Sequence, residues 1–194
     1  MTTIYFVRHA ESPKTDLDER KRGLTDAGQI AVARVARFLT NEKIDFFYSS
    51  PYERSLLTIE GAARSLGQAI QIDENLRECV FSGQHQTMPQ TDVYPLVQQM
   101  FADHAFSRDS SESFQSCQRR GVQALTAILQ NHPGKRIVIG THGLIMTAIF
   151  HHFDTKYDFD FLWQTTKPDI YRLTFNGTEL VNVSRCRFMI DTLQ

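Results

Sequence analysis

Four short segments of the chain bring together residue types that suit work on an oxyanion. They are Arg8-His9-Ala10-Glu11-Ser12, Ser49-Ser50-Pro51-Tyr52-Glu53-Arg54, Leu76-Arg77-Glu78 and Thr141-His142-Gly143. Two guanidinium groups match a tetrahedral dianion, because each offers paired N–H donors in a fixed fork. A neutral imidazole among them is a nucleophile toward phosphorus. A second imidazole, if protonated, stabilises charge on the equatorial oxygens of the transition state. Cleavage of an ester also needs an acid for the leaving oxygen, a contribution of roughly 100- to 10,000-fold. Glu78 is the candidate, with Asp73 and Glu74 as nearby substitutes. Such a carboxyl must carry its proton when it acts.

These residues need elements to position them. Ile4 to Val7 is a short apolar run without alternation, as in a strand buried on both faces. Thr25 reads as a helix N-cap, with Val32, Val35, Ala36 and Leu39 recurring after it at helical spacing. The pattern repeats with a strand at Ile44 to Tyr48. Pro51 then stands in the first turn of a helix whose buried face is Leu56, Ile59, Ala63 and Leu66, ended by Gly67. Ile70 to Ile72 is a short third strand. Residues 79 to 111 carry less pattern, with one helix expected around Tyr94 to Asp103. Phe114, Cys117, Gly121, Leu125 and Ile128 mark a long helix. A strand at Arg136 to Gly140 leads to a helix from Gly143 to about Phe153, apolar nearly all round and therefore buried. Tyr171, Leu173 and Phe175 alternate with polar residues, and Asn176-Gly177 reads as a two-residue hairpin turn before an antiparallel return over Glu179 to Ser184.

Strands alternating with helices predict an α/β fold: a three-layer α/β/α sandwich on a mostly parallel sheet, with the C-terminal hairpin antiparallel at one edge. Ligands of such sheets bind beyond the carboxyl ends of the strands. All four segments fall just past predicted strands.

The same segments resemble the histidine phosphatase superfamily, which includes the cofactor-dependent phosphoglycerate mutases. Arg8 to Ser12 is similar to its opening signature, Ser49 to Arg54 to the segment of its second phosphate-binding arginine, and Leu76 to Glu78 to the segment of its proton donor. Thr141 to Gly143 resembles the segment of its second histidine, and Leu24 to Gly28 an element opening the first helix. The likeness spans residues 4 to about 153. It implies that His9 is phosphorylated, that Arg8, Arg54 and His142 hold the phosphoryl group, and that Glu78 is the acid and then the base for water. Ser12, Thr15 and Gly143 are further candidates for substrate contact. It implies no metal and no other cofactor. Many members carry a glycine four positions after the acid and then Trp-Glu-Gly; here Ser82 and Gly83 stand there and no Trp follows. Mutases usually have an Asn shortly after the opening signature, and Thr15 stands near there; Leu144 rather than Asn follows Gly143. These departures favour the phosphatase branch. Gly143 in place of an Asp after the second histidine points away from acid phosphatases and phytases.

The rest of the chain bounds this reading. The 194 residues carry 21 Lys and Arg against 22 Asp and Glu, so no global field draws nucleic acid or anionic lipid and an anion site must be local. One domain over residues 1–194 is expected. No segment reads as a signal peptide or membrane span, and three scattered cysteines fit reduced thiols, so the expected location is cytoplasmic. Arg20-Lys21-Arg22 reads as a solvated run, with gating of the pocket as the alternative. His151, His152 and Asp154 read as a helix end rather than a metal site, and Cys79 lacks a basic partner. Phe159, Phe161 and Trp163 read as core or lid. The expected partner is a small phosphorylated molecule, with phosphoproteins an open alternative; the sequence leaves oligomeric state unread. Two competing readings stand beside hydrolysis: a phosphoglycerate mutase, and a module that binds phosphorylated ligands without turnover.

Overall fold

The computed structural model of the chain describes residues 1–14, 18–82, 87–108 and 111–188. Among the described residues, six strands form one sheet in the order β3-β2-β4-β1-β5-β6. They are β1 (Thr2–Arg8), β2 (Phe46–Ser49), β3 (Ile70–Ile72), β4 (Arg136–Thr141), β5 (Asp169–Asn176) and β6 (Glu179–Arg185). The first four are parallel; β5 pairs antiparallel with β1, and β6 with β5. The helices are α1 (Asp26–Thr40), α2 (Glu53–Ser65), α3 (Gln90–Ala102), α4 (Phe114–Asn131), α5 (Gly143–Phe153) and α6 (Phe159–Gln164).

Successive side chains of a strand point to opposite faces, and the central strands supply two cores. Ile4, Phe6, Ile137 and Ile139 pack against α4 and α5. Tyr5, Val7 and Val138 pack against Val35 and Leu39 of α1 and Ile59 and Ala62 of α2. Both faces are therefore covered, and the three-layer sandwich with an antiparallel hairpin at one edge is the observed fold. No described helix is long and apolar enough to cross a membrane.

Several boundaries differ from the sequence pattern. The second strand begins at Phe46 rather than Ile44. Pro51 lies outside α2, because Tyr52 is the extended N-cap (φ −74°, ψ 130°). The buried face of α2 includes Arg54, Ser55 and Thr58, while Leu56 is half-buried. In α1 the buried positions are Gly28, Ala31, Val35 and Leu39, with Val32 and Ala36 half-buried. The third helix starts at Gln90, before Pro95, whose missing N–H deprives only the exposed end of the helix of a bond. The hairpin loop is Gly177-Thr178, since Asn176 pairs with Glu179. The pairing then shifts between Thr174 and Phe175, so that Leu180 opposes Phe175 and Val183 opposes Leu173. Both reach the same core. Residues three apart share a face of a strand only across such a bulge.

Candidate active site

Strand order brings the two histidines together. β4 lies between β1 and β2, so Arg8 is paired in register with Thr141, and His9 N–H donates to the Thr141 carbonyl at 3.0 Å. The next residues, His9 and His142, therefore emerge side by side, with ring centroids 5.2 Å apart. The chain leaves β1 toward α1 on one face and leaves β4 into α5 on the other, which opens a crevice between them. Arg54 enters from the first turn of α2. Arg8, His9, Arg54 and Glu78 line one cleft there.

The tautomer of His9 follows from its neighbour. Its Nδ1 lies 2.7 Å from the Ala10 carbonyl oxygen. A carbonyl only accepts, so Nδ1 carries the proton and Nε2 keeps its lone pair. Burial, then Arg54, Lys167 and Arg8, hold the imidazole well below its ordinary pKa. The ring is neutral at pH 7, as a nucleophile requires. His142 is fully buried, and burial, Arg54 and His9 push it down as well. It is thus neutral too, contrary to the protonated second imidazole considered above. Ser50 Oγ accepts from Tyr52 N–H at 3.2 Å and lies 2.7 Å from His142 Nε2.

Among the described residues, four buried side-chain nitrogens lack a partner: Nε of Arg8, Arg22 and Arg54, and Nδ1 of His142. Native proteins rarely leave such donors unmatched. Arg8, Arg22 and Arg54 line the cleft with His9, whose ring lies 5.2 Å from that of His142, and charged donors so grouped suit a multiply charged oxyanion. Other donors of the same groups are engaged. Arg8 Nη1 reaches the Thr165 carbonyl at 3.0 Å and also its hydroxyl. Arg54 is 1% exposed and is held to about 10 by burial, so it remains charged at neutral pH. Its Nη2 pairs with the Glu19 carboxylate at 2.8 Å, and its Nη1 donates to the Glu19 carbonyl.

Glu78 reaches the cleft over the first turn of α5. Its Oε1 accepts from Cys79 N–H (2.9 Å) and Ile145 N–H (3.0 Å), and its Oε2 from Leu144 N–H (3.2 Å). The substitutes are elsewhere: Glu74 pairs with exposed Arg20, and Asp73 accepts from Asn75 N–H. Ser12 donates to the Gly23 carbonyl at 2.6 Å and does not line this cleft. Thr15 lies outside the described residues. Gly143 serves by being small, since a Cβ there would fall 2.8 Å from Arg8 Nη2.

Sequence reasoning missed Lys14, Glu19 and Lys167, and read Arg22 mainly as solvated; all four line the cleft. Lys167 stands at its rim, pushed down to about 8 by partial burial and by Arg8, Lys14, Arg22 and Arg54. A signal existed: β5 runs against β1, so residues just before β5 arrive where β1 ends. Trp163 also lines the cleft and packs on Tyr94 with centroids 5.0 Å apart, which fits the lid reading.

His151 is tied to the Tyr157 carbonyl through Nδ1 at 3.1 Å and packs against His104 and Phe114, in keeping with a structural role. Among the described residues, Cys79, Glu112 and Cys117 bring possible metal-ligating atoms within 4.8 Å of one another. Arg120 already supplies the cation there, 2.7 Å from Glu112 and 3.5 Å from Cys117 Sγ.

Comparison with known proteins agrees with this geometry. The family model of the histidine phosphatase superfamily (branch 1) matches residues 4–184. Phosphoglycerate mutase-like protein 4 of Arabidopsis thaliana is 29% identical over 159 residues, 76% of this chain and 69% of that one. Putative phosphoserine phosphatase 2 of Hydrogenobacter thermophilus is 34% identical over 88 residues, 42% of each chain. Among solved structures, Bacillus stearothermophilus YhfR superposes with a TM-score of 0.78 at 22% identity, covering 93% of this chain and 95% of that one. Phosphoserine phosphatase of Entamoeba histolytica gives a TM-score of 0.78 at 19% identity, with 95% and 96% covered.

Proposed function

The chain belongs to the histidine phosphatase superfamily, and on that premise we propose that it hydrolyses phosphomonoesters through a phosphohistidine on His9. The observation that carries the reading is the fixed tautomer of His9, whose free Nε2 lies among buried guanidinium and imidazole donors without partners.

The reaction has two steps. Nε2 of His9 forms a bond to phosphorus as the ester P–O bond breaks, and Glu78 gives its proton to the leaving oxygen. The Ala10 carbonyl keeps the Nδ1 proton and steadies the positive charge that grows on the ring. Arg8, Arg54 and His142 bind the equatorial oxygens, and Arg22 adds a third guanidinium. Water then attacks phospho-His9, with Glu78 taking its proton, and inorganic phosphate leaves. The relatives named as phosphatases support small phosphorylated metabolites as substrates.

The test is His9→Ala. It should lose acid-labile labelling by a phosphorylated substrate and at least about 1,000-fold in kcat; undiminished turnover would defeat the scheme. The relative named phosphoglycerate mutase-like supports one alternative, transfer to a second hydroxyl. Incubation with 3-phosphoglycerate and a trace of the bisphosphate separates the two, since a mutase yields isomer rather than free phosphate.

A further inference from the structure

The segment that carries Glu78 has little regular structure of its own. A single turn of 3-10 helix, Glu74–Leu76, precedes it. Thr141 Oγ1 holds the Leu76 carbonyl at 2.9 Å, and most of the other ties come from one buried side chain on α4. The Arg120 guanidinium donates to the carbonyls of Asn75 (2.7 Å) and Arg77 (2.8 Å) through Nη1, and of Glu78 (3.1 Å) through Nη2. Glu112 holds that guanidinium in a two-point pair, both contacts 2.7 Å. Glu112 also grips the far side of the segment: its N–H donates to the Val80 carbonyl at 2.8 Å, and its Oε2 accepts from Val80 N–H at 3.3 Å. Five backbone atoms from residues 75 to 80 are thus tied to one ion pair.

Burying an ion pair is weak evidence for stability alone, since apolar side chains of similar volume often serve as well. The contacts here are specific in place. They bracket Glu78, while the carboxylate meets the first turn of α5. We propose that Arg120 and Glu112 are positioning residues that aim the Glu78 carboxyl at the leaving oxygen. The inference rests on Glu78 being the acid of the proposed reaction.

The test uses the dependence on leaving group. p-Nitrophenolate departs without a proton, whereas an alkoxide such as that of glycerol phosphate requires one. The Glu112→Gln variant keeps the side-chain volume, and Arg120→Lys is the second variant. Each should lose about 10- to 100-fold in kcat/KM with glycerol phosphate and less than about threefold with p-nitrophenyl phosphate. The Ki for inorganic phosphate should be unchanged, which certifies a folded oxyanion site. Equal losses on both substrates, or no loss on either, would overturn the positioning role. Glu78→Gln is the control. If it shows the selectivity and the two variants do not, only the positioning role fails. If Glu78→Gln is itself unselective, the acid assignment falls and the positioning role falls with it.

Discussion

Within the cleft, Glu19 competes with any incoming oxyanion for the arginines. Glu19 lies between Arg22 and Arg54 and accepts from both, at 2.9 Å and 2.8 Å. A phosphoryl oxygen seeking Arg54 meets a carboxylate already there. Removing that charge leaves the guanidiniums in place and raises the positive potential of the cleft. Glu19→Gln should therefore tighten inorganic phosphate by about fivefold, the equivalent of about 1 kcal/mol for a partly exposed pair. Competitive inhibition of p-nitrophenyl phosphate hydrolysis reads it directly; a weaker Ki would show that Glu19 supports the site instead. Sequence alone did not reach this residue. The run Arg20-Lys21-Arg22 looks uniform, yet Arg20 turns to Glu74, Lys21 to solvent beside Asp18, and Arg22 into the cleft. Which member of a charged run is buried depends on the fold, not on composition.

At the level of elements, the strand-to-helix transitions were legible, and so was the position of His9, Arg54 and His142 at them. Periodicity marked α4 and α5 well because their buried faces are mostly apolar, Arg120 of α4 and Thr147 of α5 apart. It misjudged α2, where Arg54, Ser55 and Thr58 are buried because they serve the site and the Ala10 and Ser49 neighbourhood. Polar burial of this kind has no periodic signature. Gly28 stands where the start of α1 meets the loop after His9 at close range. Thr25 caps α1 through Gly28 N–H at 3.1 Å, and a Cβ on Gly28 would stand 2.3 Å from the Glu11 carbonyl oxygen. Gly28→Ala must push α1 away from the loop that follows His9. The expected cost is about 1–3 kcal/mol, an overpacking strain, with a parallel fall in kcat; urea denaturation and steady-state rates measure both. A variant as stable as the parent would mean that the loop yields freely.

Over the whole molecule, two buried neutral imidazoles link stability to pH. Both His9 and His142 have folded-state pKa values well below the ordinary 6.5. Below about pH 6.5 the unfolded chain binds protons that the folded chain refuses, so stability falls as pH falls. Each histidine contributes a slope of about 1.4 kcal/mol per pH unit in that window, until pH reaches its folded value. Urea midpoints between pH 7 and 5, in buffer free of phosphate, should drop accordingly. The paired change His9→Asn and His142→Asn should flatten the curve; an unchanged slope would place the acid sensitivity elsewhere. The sheet order was beyond the sequence at this scale. Chain order suggests β1 beside β2, but β4 inserts between them, and that insertion is what makes the two histidines neighbours.

The reversed direction of β5 has a consequence for biosynthesis. Every residue of the four signature segments leaves the ribosome well before Asp169 to Asn176. Until that late strand zips onto β1, Thr165 cannot clasp Arg8 and Lys167 has no cleft to border. A nascent chain long enough to display the whole signature still lacks the groups that complete the cleft around His9, which come together only after β5 has been made.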